Sequence, residues 1–273
     1  MDALDQEAGN LKGEPGGQPV RLSAVVEALK GTASSLLDVI YPPRCIVCRA
    51  WTTGECLCDK CRVKVIPVPE PWCRYCGGPT HRDGEPCLHC SGERLPPFIW
   101  STAAGLYQGP LRDAVHALKY HRRTQLAVPL AHLMLLAIDH PECKLLECDA
   151  VDGLVPFDMV VPAPLHPARL RQRGFNQADL LAREVARVLG PQLRTDVLRR
   201  VKSTSTQTAL DRKERAENVV GVFSTCKPEA VAGKSILLID DVLTTGATVR
   251  DAARSLQNSG ARRIAVLVVA RAV

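Results

Sequence analysis

Hydrophobic periodicity divides this 273-residue chain into regions of different grammar. Apolar residues at Val25, Val26, Leu29, Leu36, Leu37 and Ile40 keep helical spacing and predict a helical arm over 21–43, ended by Tyr41-Pro42-Pro43. From Phe98 onward, short apolar runs alternate with amphipathic helical patterns, as in an α/β fold with a mainly parallel sheet flanked by helices. Phe98 to Tyr107 reads as a strand, and Gly109-Pro110 opens a helix with Leu111, Val115 and Leu118 on one face. Met159 to Val161 reads as a second strand, and a helix from about Gln177 to Leu189 stops at Gly190-Pro191. Ile236 to Ile239 and Ile264 to Val269 are wholly apolar runs, the pattern of strands covered on both faces, with a helix from near Val249 to near Gly260 between them.

Residues 1–20, with glycines among acids and prolines, are expected to be disordered. Residues 44–95 are dominated by cysteine. Nine of the twelve cysteines fall between Cys45 and Cys90, mostly as Cys-x-x-Cys pairs, and that clustering favours zinc over disulfides. Cys45, Cys48, Cys58 and Cys61 form one set, and Cys73, Cys76, Cys87 and Cys90 a second, each resembling a zinc ribbon with Zn2+ in a purely structural role. The spacing also allows Cys56 in place of Cys58, interleaved pairs, or His81 or His89 as a ligand. Cys143, Cys148 and Cys226 lack partners at ligand spacing and read as ordinary thiols. Leu95-Pro96-Pro97 then makes a link to the α/β domain, expected over 98–273.

The segment ILLIDDVLTTGATV, from Ile236 to Val249, carries the chemistry. Asp240 and Asp241 follow the apolar run, at the strand end where open α/β sheets bind ligands. Thr244, Thr245, Gly246, Ala247 and Thr248 then form a small, hydroxyl-rich turn into a helix, and backbone N–H groups with the helix dipole suit a phosphate. Two carboxylates repel that phosphate and call for hydroxyl donors or a metal. A ribose 5-phosphate with Mg2+ meets both demands. The plainer reading, a strand-to-helix turn with an aspartate near the helix start, leaves the adjacent acids unexplained. Gly233-Lys234-Ser235 lacks the upstream glycine of a P-loop, where Pro228 stands, and no dinucleotide fingerprint follows a strand.

A hydrophobic content of 46% supports a packed core, and a net charge of +6, from 35 basic and 29 acidic residues, favours neither a strong nucleic-acid binder nor an acidic one. The acidic N-terminal MDALDQEAGN and the lack of a long apolar run lead to the expectation of a cytoplasmic protein without a membrane span.

The Asp-Asp and Thr-Thr-Gly segment resembles the phosphoribosyl-pyrophosphate (PRPP) signature of type I phosphoribosyltransferases. With the paired Cys-x-x-Cys module, VVPAPLH, RQRGFNQA and the looser Gln207 to Asn218 stretch, the chain resembles the ComF family of competence proteins across residues 40–273. That resemblance implies a type I phosphoribosyltransferase fold and work on imported single-stranded DNA beside other DNA-uptake proteins. It implies that Ala163, Pro164 and Leu165 face the pyrophosphate, and that an arginine-bearing loop closes over it, with Arg171, Arg173 and the Lys202 to Arg215 segment as candidates. It further implies a pentosyl transfer to an unnamed acceptor, with Asp240 and Asp241 at the ribose hydroxyls. The segment 139–158 and the N-terminal extension depart from the leaner family pattern.

Overall fold

The computed structural model describes residues 43–52, 56–80, 87, 90, 95–138, 157–202 and 221–273. The helical arm, the N-terminal stretch, His81, His89, Cys143, Cys148 and residues 203–220 lie outside them. Arg44–Val273 forms one compact unit. In chain order it contains α1 (Asp59–Val63), β1 (Trp100–Leu106), α2 (Gly109–Tyr120), α3 (Ala127–Ile138), β2 (Met159–Pro162), α4 (Pro167–Arg173) and α5 (Gln177–Leu189). It continues with β3 (Gln192–Leu193), β4 (Leu198–Arg200), β5 (Phe223–Thr225), α6 (Pro228–Val231), β6 (Ser235–Leu243), α7 (Ala247–Asn258) and β7 (Arg263–Arg271).

Five strands form one parallel sheet in the order β1-β7-β6-β2-β3, and β4 and β5 form a separate antiparallel pair. Alternation along the strands builds two cores. Leu237 and Ile239 of β6 face α2, α3 and α5 with Leu118, Leu130, Met134 and Leu181, whereas Ile236 and Leu238 face α7 and the β4–β5 pair with Leu256, Leu198 and Phe223. Both faces are buried, so the wholly apolar runs of β6 and β7 follow from their central place.

Two elements differ from their sequence expectations. β6 does not end at Ile239; its pairing with β7 continues through Asp240↔Val268, Val242↔Ala270 and Leu243↔Arg271, so both aspartates lie within the strand. The basic stretch after VVPAPLH is a helix rather than a loop. His166 Nδ1 accepts from Ala168 N at 3.3 Å, Pro167 occupies the first turn, and Gly174 closes the helix with a φ of 85°.

The cysteine-bearing region lies along the outer edge of β1. Ser101 N donates to Arg74 O at 2.7 Å and Leu106 N to Ile66 O at 2.8 Å. The approach is so close that a Cβ at Gly105 would stand 2.5 Å from Ile66 O. Among the described residues, no helix is long and apolar enough to cross a membrane.

Candidate functional site

The strand order turns at β2. From β2 the chain moves outward to β3, then returns to β6 on the other side, so the carboxyl ends of β2 and β6 flank the switch point where such sheets bind ligands. Ala163, just after β2, is held to β6 by its N–H on Ile239 O at 2.8 Å, and its carbonyl accepts from Asn176 Nδ2 at 3.1 Å. Asn176 Oδ1 also caps α5 by accepting from Ala178 N at 3.2 Å. One side chain of the RGFNQ segment therefore fixes both a helix start and the turn Ala163-Pro164-Leu165.

The period of two along β6 sends the acids to opposite faces. Asp241 joins the face of Leu237 and Ile239, where Lys119 from the last turn of α2 meets its Oδ1 at 2.7 Å. Asp241 is buried, and its Oδ2 has no hydrogen-bond partner among the described residues. Burial by itself lowers the Lys119 ammonium, but the Asp241 charge and hydrogen bond, helped by Asp240 and Tyr107, hold it above its ordinary value. Asp240 is half-buried and its Oδ1 accepts from Asp241 N at 2.8 Å. Its carboxyl is pushed up to about 7, first by burial and then by the Asp241 charge, against the Asp241 N–H, Lys119 and Arg200. In the sequence Lys119 stands beside His121, Arg122 and Arg123 at the end of α2; only packing in the fold pairs it with Asp241.

Beyond Leu243, Thr244 is exposed, Thr245, Ala247 and Thr248 are half-buried, and Gly246 is the N-cap of α7 with a φ of 78°. Gly246 has no side chain to cap the first turn, and Thr245 Oγ1 lies 3.4 Å from Ala247 N. The positive φ explains glycine here, and the first turn of α7 is capped from Thr245, whose Oγ1 accepts from Ala247 N.

On the other side of the acids, Lys119, Tyr120, Arg122, Arg169, Gln172 and Arg173 line a cavity of about 400 Å³. Helical spacing puts Arg169, Gln172 and Arg173 on one face of α4, while Arg171 is exposed and outside the lining. Arg173 donates to Gln177 Oε1, and its guanidinium lies 5.4 Å from the Tyr120 ring centroid. Of the candidates for a closing loop, Arg173 lines the cavity, with Arg169 beside it, and Arg171 does not; the Lys202 to Arg215 candidates lie, beyond Lys202, outside the described residues.

The cysteines resolve into two clusters, Cys45/Cys48/Cys58/Cys61 and Cys73/Cys76/Cys87/Cys90, with all sulfurs of each within 4.8 Å of one another. Cys48 and Cys58 sulfurs are 3.5 Å apart, Cys45 and Cys61 3.8 Å, and Cys76 and Cys87 3.6 Å. The edge of a tetrahedron with Zn–S bonds near 2.3 Å is about 3.8 Å, so both sets fit a structural zinc. Backbone donors serve the first sulfur of each, Cys58 N on Cys45 Sγ at 3.5 Å and Cys87 N on Cys73 Sγ at 3.4 Å. Cys56 is excluded from the first cluster because its thiol donates to Gln125 O at 3.2 Å. Cys226 is exposed, with its sulfur on Ser224 O.

A double zinc ribbon domain matches residues 36–91, and a phosphoribosyl transferase domain matches residues 174–272. The chain is 32% identical over 215 residues to the DNA utilization protein YhgH of Escherichia coli strain K12, across 79% of this chain and 90% of that one. It is 29% identical over 232 residues to competence protein F of Haemophilus influenzae, across 84% and 97% of the two chains. Over 103 residues it is 38% identical to competence protein ComFC of Bacillus subtilis, across 37% and 39%.

Proposed function

The chain belongs to the ComF family, in which a double zinc ribbon is joined to a phosphoribosyltransferase domain, and on that footing we propose that it binds Mg2+-PRPP at the carboxyl ends of β2 and β6. The observation that carries the reading is the buried Asp241 at the switch point, with an Oδ2 unpartnered among the described residues and an Oδ1 on Lys119, which lines a cavity together with Arg122, Arg169 and Arg173. The Thr244–Thr248 turn takes the 5-phosphate. Asp240 and Asp241, near the strand end, take ribose hydroxyls and would hold Mg2+, which would neutralise pyrophosphate charge.

Ala163, Pro164 and Leu165 face the pyrophosphate, and Arg169 and Arg173 supply guanidinium forks for its oxygens. If an acceptor enters, these groups favour displacement of pyrophosphate from the anomeric carbon, with the carboxylates stabilising positive charge on the sugar. The relatives' names, a DNA utilization protein and two competence proteins, support a role in handling DNA; the family resemblance adds single-stranded DNA and other DNA-uptake proteins as candidate partners. A second reading, regulated DNA handling without turnover, draws on the same cavity, where phosphates could lie along the cations and a base could stack on Tyr120.

Calorimetry with Mg2+-PRPP tests the first reading. Binding in the micromolar to millimolar range is expected, with Asp241→Asn weakening it about tenfold or more. Because Asp240 ionises near pH 7, affinity should rise from pH 6 to pH 8, and Asp240→Asn should flatten that rise. Undetectable binding at millimolar PRPP would sink the reading. PRPP binding without turnover on bases or single-stranded DNA, with a DNA salt slope reduced by Arg169→Ala and Arg173→Ala, favours the second.

A further inference from the structure

Arg271, the last residue of β7, is buried, yet no carboxylate pairs with it among the described residues. Its Nη1 donates to Leu243 O at 2.8 Å and also to Thr244 O and Ala272 O, while Nε has no partner among the described residues. These contacts hold the two carbonyls that lead into the Thr-Gly turn. On its other side the guanidinium borders Gly78, two residues past Cys76 of the second cysteine cluster. A Cβ at Gly78 would be 3.2 Å from Arg271 Nη2 and 3.4 Å from Cys76 Sγ. Arg250, in the first turns of α7, reaches the same cluster, with Nη2 donating to Cys90 Sγ at 3.5 Å. Its Nε lies 3.7 Å from where a Cβ would stand on Gly246.

A buried guanidinium without a counter-charge is costly, and hydrogen bonds to carbonyls supply dipoles rather than charge. Four thiolates around Zn2+ carry a net charge of −2, so a loaded second cluster offers negative charge to the guanidiniums beside it. Four neutral thiols offer none. At the first cluster the neighbouring Arg44 instead stacks over Trp51, 3.9 Å from the ring centroid.

We infer that Arg250 and Arg271 are positioning residues that hold the Thr244–Thr248 turn and use the metal-loaded second cluster as their counter-ion, so zinc there and sugar phosphate at the turn are linked. The ligand half of this inference rests on the phosphate reading above. Linkage is reciprocal at equilibrium: if zinc at the second cluster favours ligand binding, the ligand must tighten zinc at that cluster by the same free energy, and slower zinc release is the expected sign of it.

The test uses the full zinc-loaded chain, with zinc release followed by a chromogenic chelator and binding of ribose 5-phosphate and Mg2+-PRPP followed by calorimetry. Either ligand should slow one of two release phases by about fivefold or more and leave the other unchanged. Arg250→Ala and Arg271→Met should speed that same phase, lower ligand affinity about tenfold, and lose the protection; Arg271→Lys, which keeps the charge, should recover slow release. Gly78→Ala, which crowds Arg271 and Cys76, should act in the same direction if Arg271→Met does not fold. Wild-type affinity in Arg250→Ala and Gly78→Ala, or equal ligand protection in every variant, overturns the linkage. If the wild-type chain binds neither ligand, the phosphate reading falls. The counter-ion claim is then decided by release alone, and wild-type release from the Arg250 and Arg271 variants overturns it.

Discussion

The two zinc ribbons share one knuckle and carry different burdens. Cys45 N bonds Ala50 O and Arg49 N bonds Cys45 O; Cys73 N bonds Gly78 O and Gly77 N bonds Cys73 O. Arg44 bridges Trp51 as Trp72 bridges Pro79. The left-handed position is Arg49 in the first knuckle, at a φ of 64°, and Gly77 in the second, at 60°. The backbone demand is therefore the same, and the residue choice is set by surroundings. Arg49 and Ala50 are exposed, whereas Gly77 and Gly78 lie against Ser101 O and Arg271, where a side chain would be crowded. Two equal metal sites thus differ in what touches their knuckles, and only the second knuckle's glycines meet β1 and β7.

The difference can be tested most severely at the metal ligands. Cys73→Ser should lose one zinc, lower the thermal midpoint and weaken sugar-phosphate binding at least tenfold; Cys48→Ser should also lose one zinc but change that binding less than threefold. Equal losses would erase the distinction. A smaller effect is expected from the left-handed positions. Gly77→Ala should cost about 2 kcal/mol in urea denaturation, from the positive φ and the 3.2 Å contact with Ser101 O. Arg49→Gly relieves similar strain but gains chain entropy on unfolding, so it should stay within about 0.5 kcal/mol of wild type. The smallest effect belongs to Trp51, 60% exposed with Arg44 over its face: Trp51→Ala should cost about 0.5–1 kcal/mol and leave zinc content at two. A loss of several kcal/mol would mean that the first ribbon is as deeply engaged as the second.

Much of this arrangement was legible in the sequence, for local reasons. The apolar runs of β6 and β7, the caps of α5 and the Cys-x-x-Cys pairs each carry their signal within a few residues. The cysteines of both sets come together as the spacing suggests, and the strand, turn and helix around Asp240 to Thr248 follow in order. What the sequence hid depends on distant packing. Lys119 meets Asp241 because α2 crosses the face of β6, and Arg271 reaches Leu243 because β7 ends beside it. The basic stretch after β2 carries its own helix signals in Pro167 and Gly174, and helical phase puts Arg169 rather than Arg171 at the cavity. Helix α3, buried through Leu130 and Met134, is apolar on most sides rather than amphipathic, so periodicity gives it no clear signal.

The chain from Ile66 to Arg74, hydrogen-bonded along β1, has a consequence for the protein's behaviour in a crowded solution. An outer strand with open N–H and C=O groups is a template on which another chain can add itself, and β1, WSTAAGL, offers almost no charge to discourage it. The bonds from Ser101 and Leu106 occupy part of that edge, and Gly105 lets the covering backbone come within contact of it. The metal-bearing segment thereby guards the sheet against association between copies, and loss of its zinc carries a risk of aggregation as well as of lost binding.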